Sequence, residues 1–354
     1  MRFTHETLPQ RVVFAPGDAP YAVANEVAAL NGSKVMLLAS EREVALADPI
    51  ADRIPVVLLH DEVVMHVPAD VAARARDTAM ATGADVLVCV GGGSTTGLAK
   101  AVALASGLPI VAVPTTYAGS EATNVWGLTE GGTKTTGVDA AVLPRSIVYD
   151  AHLLSTLPGE SAVASGLNAM AHCVDSMWGP RADPIDRAFA GEGIRGLATG
   201  LRRVAADPAD VGGIEQMLYG AYLAAVAFAS AGSGMHHKIC HVLGGMFDLP
   251  HAETHSVVLP HVLAFNAPNA PEGERRIAAA FDADTAVEGL AALRDELNAP
   301  GALRDHGMPE AGIADALAPI KKAIPADNPT PVTDENLTTL LEAAWSGLDD
   351  RRSR

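Results

Sequence analysis

Short runs of branched apolar residues punctuate the first third of the chain: KVMLLAS at 34–40, PVVLL at 55–59, DVLVCV at 85–90 and PIVAV at 109–113. They lack the polar alternation of a strand with one wet face, and so predict parallel strands covered on both sides. Between them, 20–30, 68–82 and 94–105 carry small apolar residues at helical spacing, each long enough for a right-handed crossover. After SIVYDAHLLSTLP (146–158) the strand signal stops. The rest reads as helices broken by Gly and Pro, the last over 337–348 behind a loop at 326–336. The pattern predicts an α/β domain with a Rossmann-like parallel sheet over 1–156 and an all-helical catalytic domain over 157–354, with a cleft between them for cofactor-dependent chemistry.

Composition removes several function classes. Of 354 residues 49% are hydrophobic and only 4% aromatic, which suits close packing of Ala, Val and Leu. A net charge of −17, with no run of Lys or Arg, opposes a phosphate backbone, so no nucleic-acid partner is expected. MRFTHETLPQ has no apolar core of a signal peptide, and the longest apolar run, Ala221 to Ala231, is short for a membrane span, so no membrane partner is expected either. Cys89, Cys173 and Cys240 show no CxxC spacing, which predicts neither disulfides nor a zinc knuckle and places the chain in a reducing cytoplasm.

Two loops carry nucleotide chemistry. In DVLVCVGGGSTTGLAKA (85–101) a buried strand runs into Gly91, Gly92 and Gly93, with Ser94 and Thr95 where a helix begins. Without Cβ atoms the loop's N–H groups can approach a pyrophosphate, and a helix N-terminus favours that charge. The spacing is neither GxGxxG nor a Walker loop. PTTYAGSEATN (114–124) supplies Thr115, Thr116, Gly119 and Ser120 after the next strand, at the edge where open α/β sheets bind ligands. Ser40 ends the strand 34–40, with Glu41 and Arg42 behind it; the small residue and the nearby cation suit NADPH as well as NADH.

Six of the twelve histidines fall between 235 and 263, at 236, 237, 241, 251, 255 and 261. His237 and His241 are i and i+4 on one helix face, Asn168 and His172 have the same spacing on another, and His251 follows Pro250 across a short loop. These residues are expected to converge. A divalent metal gains from an anionic ligand, and Asn168 supplies a neutral carbonyl oxygen, so no metal is expected; Asp175, one turn beyond His172, is the acid that could still reach in. Cys173 and Cys240 point elsewhere on their helices and are assigned to packing.

GGGSTTGLAK, PTTYAGSEAT, the Asn168/His172 pair, and His237, His241 and His251 resemble the iron-containing (group III) alcohol dehydrogenases. That family has GGGSxxDxAK, a PTTxGTGSE-like loop, an Asp-x3-His pair, and His-x3-His with another His ten residues on. The resemblance spans nearly the whole chain and implies the dehydroquinate synthase-like fold. Gly97 and Asn168 depart from the family's aspartates, and Ala15 in FAPGDA from a glycine. WGLTEGGTKTTG (126–137), LPRSIVYDAHLL (143–154), SGLNAMAHCVD, HHKICHVLGG and DLPHAETH are similar to the maleylacetate reductase branch. That branch implies metal-free reduction of the C=C bond of maleylacetate, a small dicarboxylate, to 3-oxoadipate by NADH or NADPH, in a homodimer joined through the sheet edge.

On this resemblance His241 is the proton donor or relay, while His172, His237 and His251, as imidazolium groups, donate to the ketone oxygen or a carboxylate. Asn168 and Tyr117 join them as substrate contacts, and Lys134 is an anion contact near the cofactor. The alternatives are an Fe- or Zn-dependent alcohol dehydrogenase with metal on His172, His237, His251 and Asn168, a 3-dehydroquinate synthase-like lyase, and a nucleotide sensor without chemistry.

Overall fold

The computed structural model describes residues 1–131 and 133–347, with the side chains of 133 and 134 outside that set. The chain forms two compact units. One comprises Thr7–Leu157 with Ala209–Leu218. The other comprises Met1–Glu6, Pro158–Pro208 and the chain from Tyr219 onward. The boundary at 157/158 thus differs from a single cut in two places: the first six residues belong with the helices, and 209–218 belong with the sheet.

In the α/β unit the order is β1 (Arg11–Phe14), α1 (Ala19–Ala29), β2 (Val35–Leu38), α2 (Val44–Ala51), β3 (Val56–His60), α3 (Ala69–Thr82), β4 (Val86–Gly91), α4 (Gly93–Ser106) and β5 (Ile110–Pro114). A hairpin, β6 (Val125–Glu130) with β7 (Thr133–Val138), then precedes β8 (Ser146–Tyr149) and α5 (Ala151–Leu154). The six sheet strands are all parallel, in the order β1-β8-β5-β4-β2-β3. Successive side chains alternate between two buried faces, as the unbroken apolar runs require. Val35, Leu37, Val86, Val88 and Val111 pack with α1 and α2 residues, while Met36, Leu38, Leu87, Cys89 and Ile110 pack with α3 and α4 residues.

Two elements depart from the sequence pattern. PVVLL becomes the edge strand β3, where Val57 and Leu59 are 45% and 44% exposed. The antiparallel β6–β7 hairpin occupies a stretch with no predicted strands, its Gly and Thr content masking the period-2 signal.

The topology matters for the site. β2 continues outward to β3, whereas β4 continues the opposite way to β5 and β8, so the strand order reverses between β2 and β4. Open sheets bind ligands at such a point, beyond the strands' carboxyl ends. Lys100 on α4 is fully buried and secures the loop after β5 there. Its Nζ donates to the carbonyls of Ser120 (2.6 Å), Thr123 (2.8 Å) and Val125 (2.8 Å), and lies 3.1 Å from Thr123 Oγ1. Burial pushes its pKa down to about 7, against the pull of buried Glu121.

The helical unit contains α6 (Gly159–Ser176), α7 (Pro184–Ala206), α9 (Met235–Phe247), α10 (His251–Asn266), α11 (Pro271–Phe281), α12 (Ala286–Glu296), α13 (Gly312–Ala323) and α14 (Asp334–Ser346). α8 runs from Val211 to Ala231, ten residues longer at its start than the apolar run in the sequence. By length and hydropathy it could cross a membrane; half of its most apolar window is buried, as in a core helix. α9, α10, α13 and α14 enclose one core around Ile239, Leu243, Val258, Ile320 and Leu341.

Replacing Lys100 with Met should lower unfolding free energy by about 2–4 kcal/mol, because several buried acceptors lose their only shared donor. Urea denaturation checks this; a loss below about 1 kcal/mol would mean that water satisfies those carbonyls.

Candidate active site

α6 is buried on every side from Ala162 to Ser176, so polar groups on it must find partners inside the protein. Asn168, His172 and Asp175 follow one another at four and three residues and form one stripe along it. α9 begins at Gly234, which has no side chain to cap the helix. Asp175 does so from α6. Its Oδ2 accepts the N–H groups of Gly234 (3.1 Å) and His237 (3.2 Å), and Oδ1 accepts that of His236 (3.2 Å). Unpaired donors and the positive end of the helix dipole make this a natural seat for a carboxylate. The approach is so close that a Cβ on Gly234 would stand 2.6 Å from Asp175 Oδ1.

The same carboxylate fixes a ring. His237 Nδ1 lies 2.7 Å from Asp175 Oδ2, so Nδ1–H donates to the acid and Nε2 faces the opposite way. Nε2 is buried without a hydrogen-bond partner, as are Asn168 Oδ1 and His172 Nδ1. Burial pushes the Asp175 carboxyl up to about 7 and the His237 ring well below 6.5. Across 2.7 Å any added proton is shared, and the two titrate as one unit. Three backbone donors hold the negative charge on Asp175, so the added proton belongs on His237 Nε2.

Around this pair the rings are contiguous. The His237 ring centre is 4.9 Å from His172, 6.0 Å from His241, 4.8 Å from His255 and 4.2 Å from the Phe228 ring. His251 is 6.3 Å from His241 and 4.4 Å from His255. The predicted histidines therefore come together, with His172 and His237 buried and His241 and His251 on the exposed side. Asn168 is 2% exposed on the same buried stripe.

Several expectations need correction. His172 and His237 do not carry independent imidazolium charges: burial, with repulsion from neighbouring rings, pushes His172 down to about 3, and His237 is charged only within the unit it forms with Asp175. Asp175 does not serve as a metal acid, since its oxygens are taken by α9 and His237. His236 and His255, passed over in the sequence, form a second buried layer joined Nε2 to Nδ1 at 2.9 Å, and Cys240 packs on it with Sγ 3.6 Å from His236 Nε2. The HH dipeptide and the His251/His255 spacing were the available signals. Tyr117, in the α/β unit, is 1% exposed.

In the α/β unit, Gly91 ends β4 and Gly92 caps α4. Gly92 N–H, Thr95 Oγ1, Thr115 Oγ1 and Ser40 Oγ do converge, but on a residue that sequence reasoning missed: all four donate to the carboxylate of Glu43. Glu41 and Arg42, weighed in its stead, are exposed. Gly93 is exposed, and Ser94, Thr116 and Ser120 are half-buried along the same loops. The Lys134 side chain lies outside the described residues.

Sequence profiles described as iron-containing alcohol dehydrogenase and as the C-terminal part of the Fe-containing alcohol dehydrogenase family match residues 9–151 and 162–345. The chain belongs to the iron-containing alcohol dehydrogenase family. Within that family it is 43% identical over 350 residues to a maleylacetate reductase of Sphingobium indicum, covering 98% of this chain and 99% of the relative. The crystal structure of an iron-containing alcohol dehydrogenase from Corynebacterium glutamicum superposes with a TM-score of 0.97 at 59% identity, covering 99% of this chain and 98% of that one. The structure of a maleylacetate reductase from Agrobacterium tumefaciens does so with 0.93 at 37% identity, covering 98% and 99%.

The iron of the family name meets a poor donor set here. The corresponding positions offer three imidazoles and the neutral Asn168 oxygen, and Asp175, the acid on the same stripe of α6, is engaged by α9 and His237. Among the described residues, the histidine group with ring nitrogens within 4.8 Å of one another is His236, His237 and His255, and it excludes His172 and His251. These residues offer iron no anionic ligand.

Exchanging Asp175 for Asn should cost about 2–4 kcal/mol of stability, because the cap weakens and His237 loses its acceptor. In the parent protein, acid should unfold the chain. His172, His236 and His255 have pKa values pushed below 6.5, two of them to about 3, so the unfolded state binds more protons and stability falls as pH drops from 6.5 toward 3. The unit of Asp175 with His237 acts in the opposite sense, because burial pushes the Asp175 carboxyl up to about 7, one unit against three rings. Thermal melts across this range test the balance; a midpoint that rises on acidification contradicts it.

Proposed function

We propose that the protein reduces the C=C bond of maleylacetate with NADH or NADPH to give 3-oxoadipate, without a metal. The observation that carries this reading is that Asp175 is spent on α9 and His237 while Asn168 stands in the ligand position, so a polar, buried, uncharged wall remains where the family places iron. The relative from Sphingobium indicum supports the substrate. The three buried, unbridged cysteines accord with a cytoplasmic setting. The half-exposed Val57 and Leu59 on edge strand β3 support a homodimer joined at the sheet edge.

Hydride adds to the alkene carbon β to the ketone, and the electron pair moves onto the ketone oxygen as an enolate. Donors must meet that charge. His237, oriented by Asp175, presents Nε2–H when the pair holds its extra proton, without adding net charge to the interior. Neutral imidazole N–H groups on the neighbouring rings can polarise the same oxygen. His241 delivers the proton that the enolate carbon takes up, a role supported by its exposure and its ring-to-ring distance of 6.0 Å from His237.

A second reading has one observation in its favour: Asn168 Oδ1, His172 Nδ1 and His237 Nε2 are all buried without partners, as ligand atoms of an iron- or zinc-dependent alcohol dehydrogenase would be. The two readings separate on one assay. Protein dialysed against a chelator should oxidise NADH with maleylacetate at the undialysed rate, and His241→Ala should lower kcat by about 100-fold or more. Loss of turnover on chelation, restored by iron or zinc, establishes the second reading.

A further inference from the structure

Glu43 is the N-cap residue of α2, yet its side chain makes no bond to that helix. It turns toward the strand-order reversal. Oε1 accepts from Thr115 Oγ1 (2.8 Å) and from the N–H of Gly92 (3.1 Å); Oε2 accepts from Ser40 Oγ (2.7 Å) and Thr95 Oγ1 (3.2 Å), with the Ser40 N–H at 3.4 Å. These donors come from the ends of β2, β4 and β5 and from the first turn of α4, up to 72 residues away along the chain. Among the described ion pairs none involves Glu43, so the loops alone hold its charge. At Gly91 a Cβ would stand 2.6 Å from Thr95 Cβ and 2.7 Å from Glu43 Oε2, so the glycine leaves room for the threonine and the carboxylate together.

A glycine-loop N–H at a helix start, surrounded by hydroxyls from adjacent strand ends, is the donor set that a phosphate group asks for. Glu43 satisfies that set with an anion belonging to the chain. A pyrophosphate and a carboxylate cannot share these donors, because like charges a few ångströms apart repel by an amount that partial desolvation enlarges. We propose that Glu43 is a tethered competitor for the cofactor's phosphates: it keeps the cradle assembled, must swing out when the dinucleotide binds, and thereby weakens affinity for the cofactor. The proposal rests on the reading of this cradle as a dinucleotide site. It differs in sign from the usual role of an acid at a strand end, which accepts from a ribose hydroxyl and excludes a 2′-phosphate. A ribose-binding acid strengthens NADH binding selectively, whereas a tethered competitor weakens NADH and NADPH alike.

The test is titration calorimetry of the full chain and its Glu43→Ala and Glu43→Gln variants with NADH, NADPH and inorganic pyrophosphate. Glu43→Ala should lower all three Kd values by about tenfold, the size of one removed like-charge contact, and leave the NADH/NADPH ratio unchanged. Glu43→Gln, which keeps the shape and loses the charge, should shift them in the same direction by less, and decides alone if the alanine variant does not fold. Unchanged or weaker NADH binding in the variants, or a gain confined to NADPH, overturns the proposal. If the parent protein binds neither dinucleotide, the cofactor reading fails, while the pyrophosphate titration still decides whether Glu43 competes for the cradle.

Discussion

The histidine site of the helical unit depends on one carboxylate at the start of one helix. α9 opens on a glycine and cannot cap itself, and α6 passes Asp175 across to take its first N–H groups. That single placement fixes the start of α9, the register between α6 and α9, and the direction of the His237 ring. It also removes the nearest acid from any other duty. What distinguishes the donor set of this chain follows from the combination: an amide at 168, and an acid at 175 already engaged by backbone and ring.

The α/β half obeys a similar logic with opposite polarity. There the chain provides donors in excess at the reversal between β2 and β4, and Glu43 gathers them. In both halves a helix start meets a carboxylate from a distant segment. In α9 the match is permanent, because Asp175 is fully buried; at α4 the half-buried Glu43 stands where an exchangeable anion would.

Much of this was legible in the sequence. The unbroken apolar runs of β2, β4 and β5 fixed strand type and burial, because a strand covered on both faces has no reason to alternate. The i, i+4 spacing placed Asn168 with His172 and His237 with His241 on common faces. Glu43 was not legible, since its partners lie 49 and 72 residues away and nothing local separates it from Glu41. Nor was the neutrality of the buried rings: histidine count suggests positive charge, but crowding in a dry interior suppresses it. The β6–β7 hairpin and the edge position of β3 were hidden because hydropathy reports burial poorly where glycine is frequent or where an apolar strand faces outward.

The proton on His237 tests the account most directly. Nitrogen-15 NMR of histidine-labelled protein, free of cofactor and swept from about pH 5 to 8, reports both ring nitrogens. Nδ1 should stay protonated throughout, and any further proton that the pair takes up should enter at Nε2 while the Asp175 carboxyl remains ionised. A bare Nδ1 beside a protonated Asp175, or an Nε2 shifted by a bound metal ion in active protein, would contradict it.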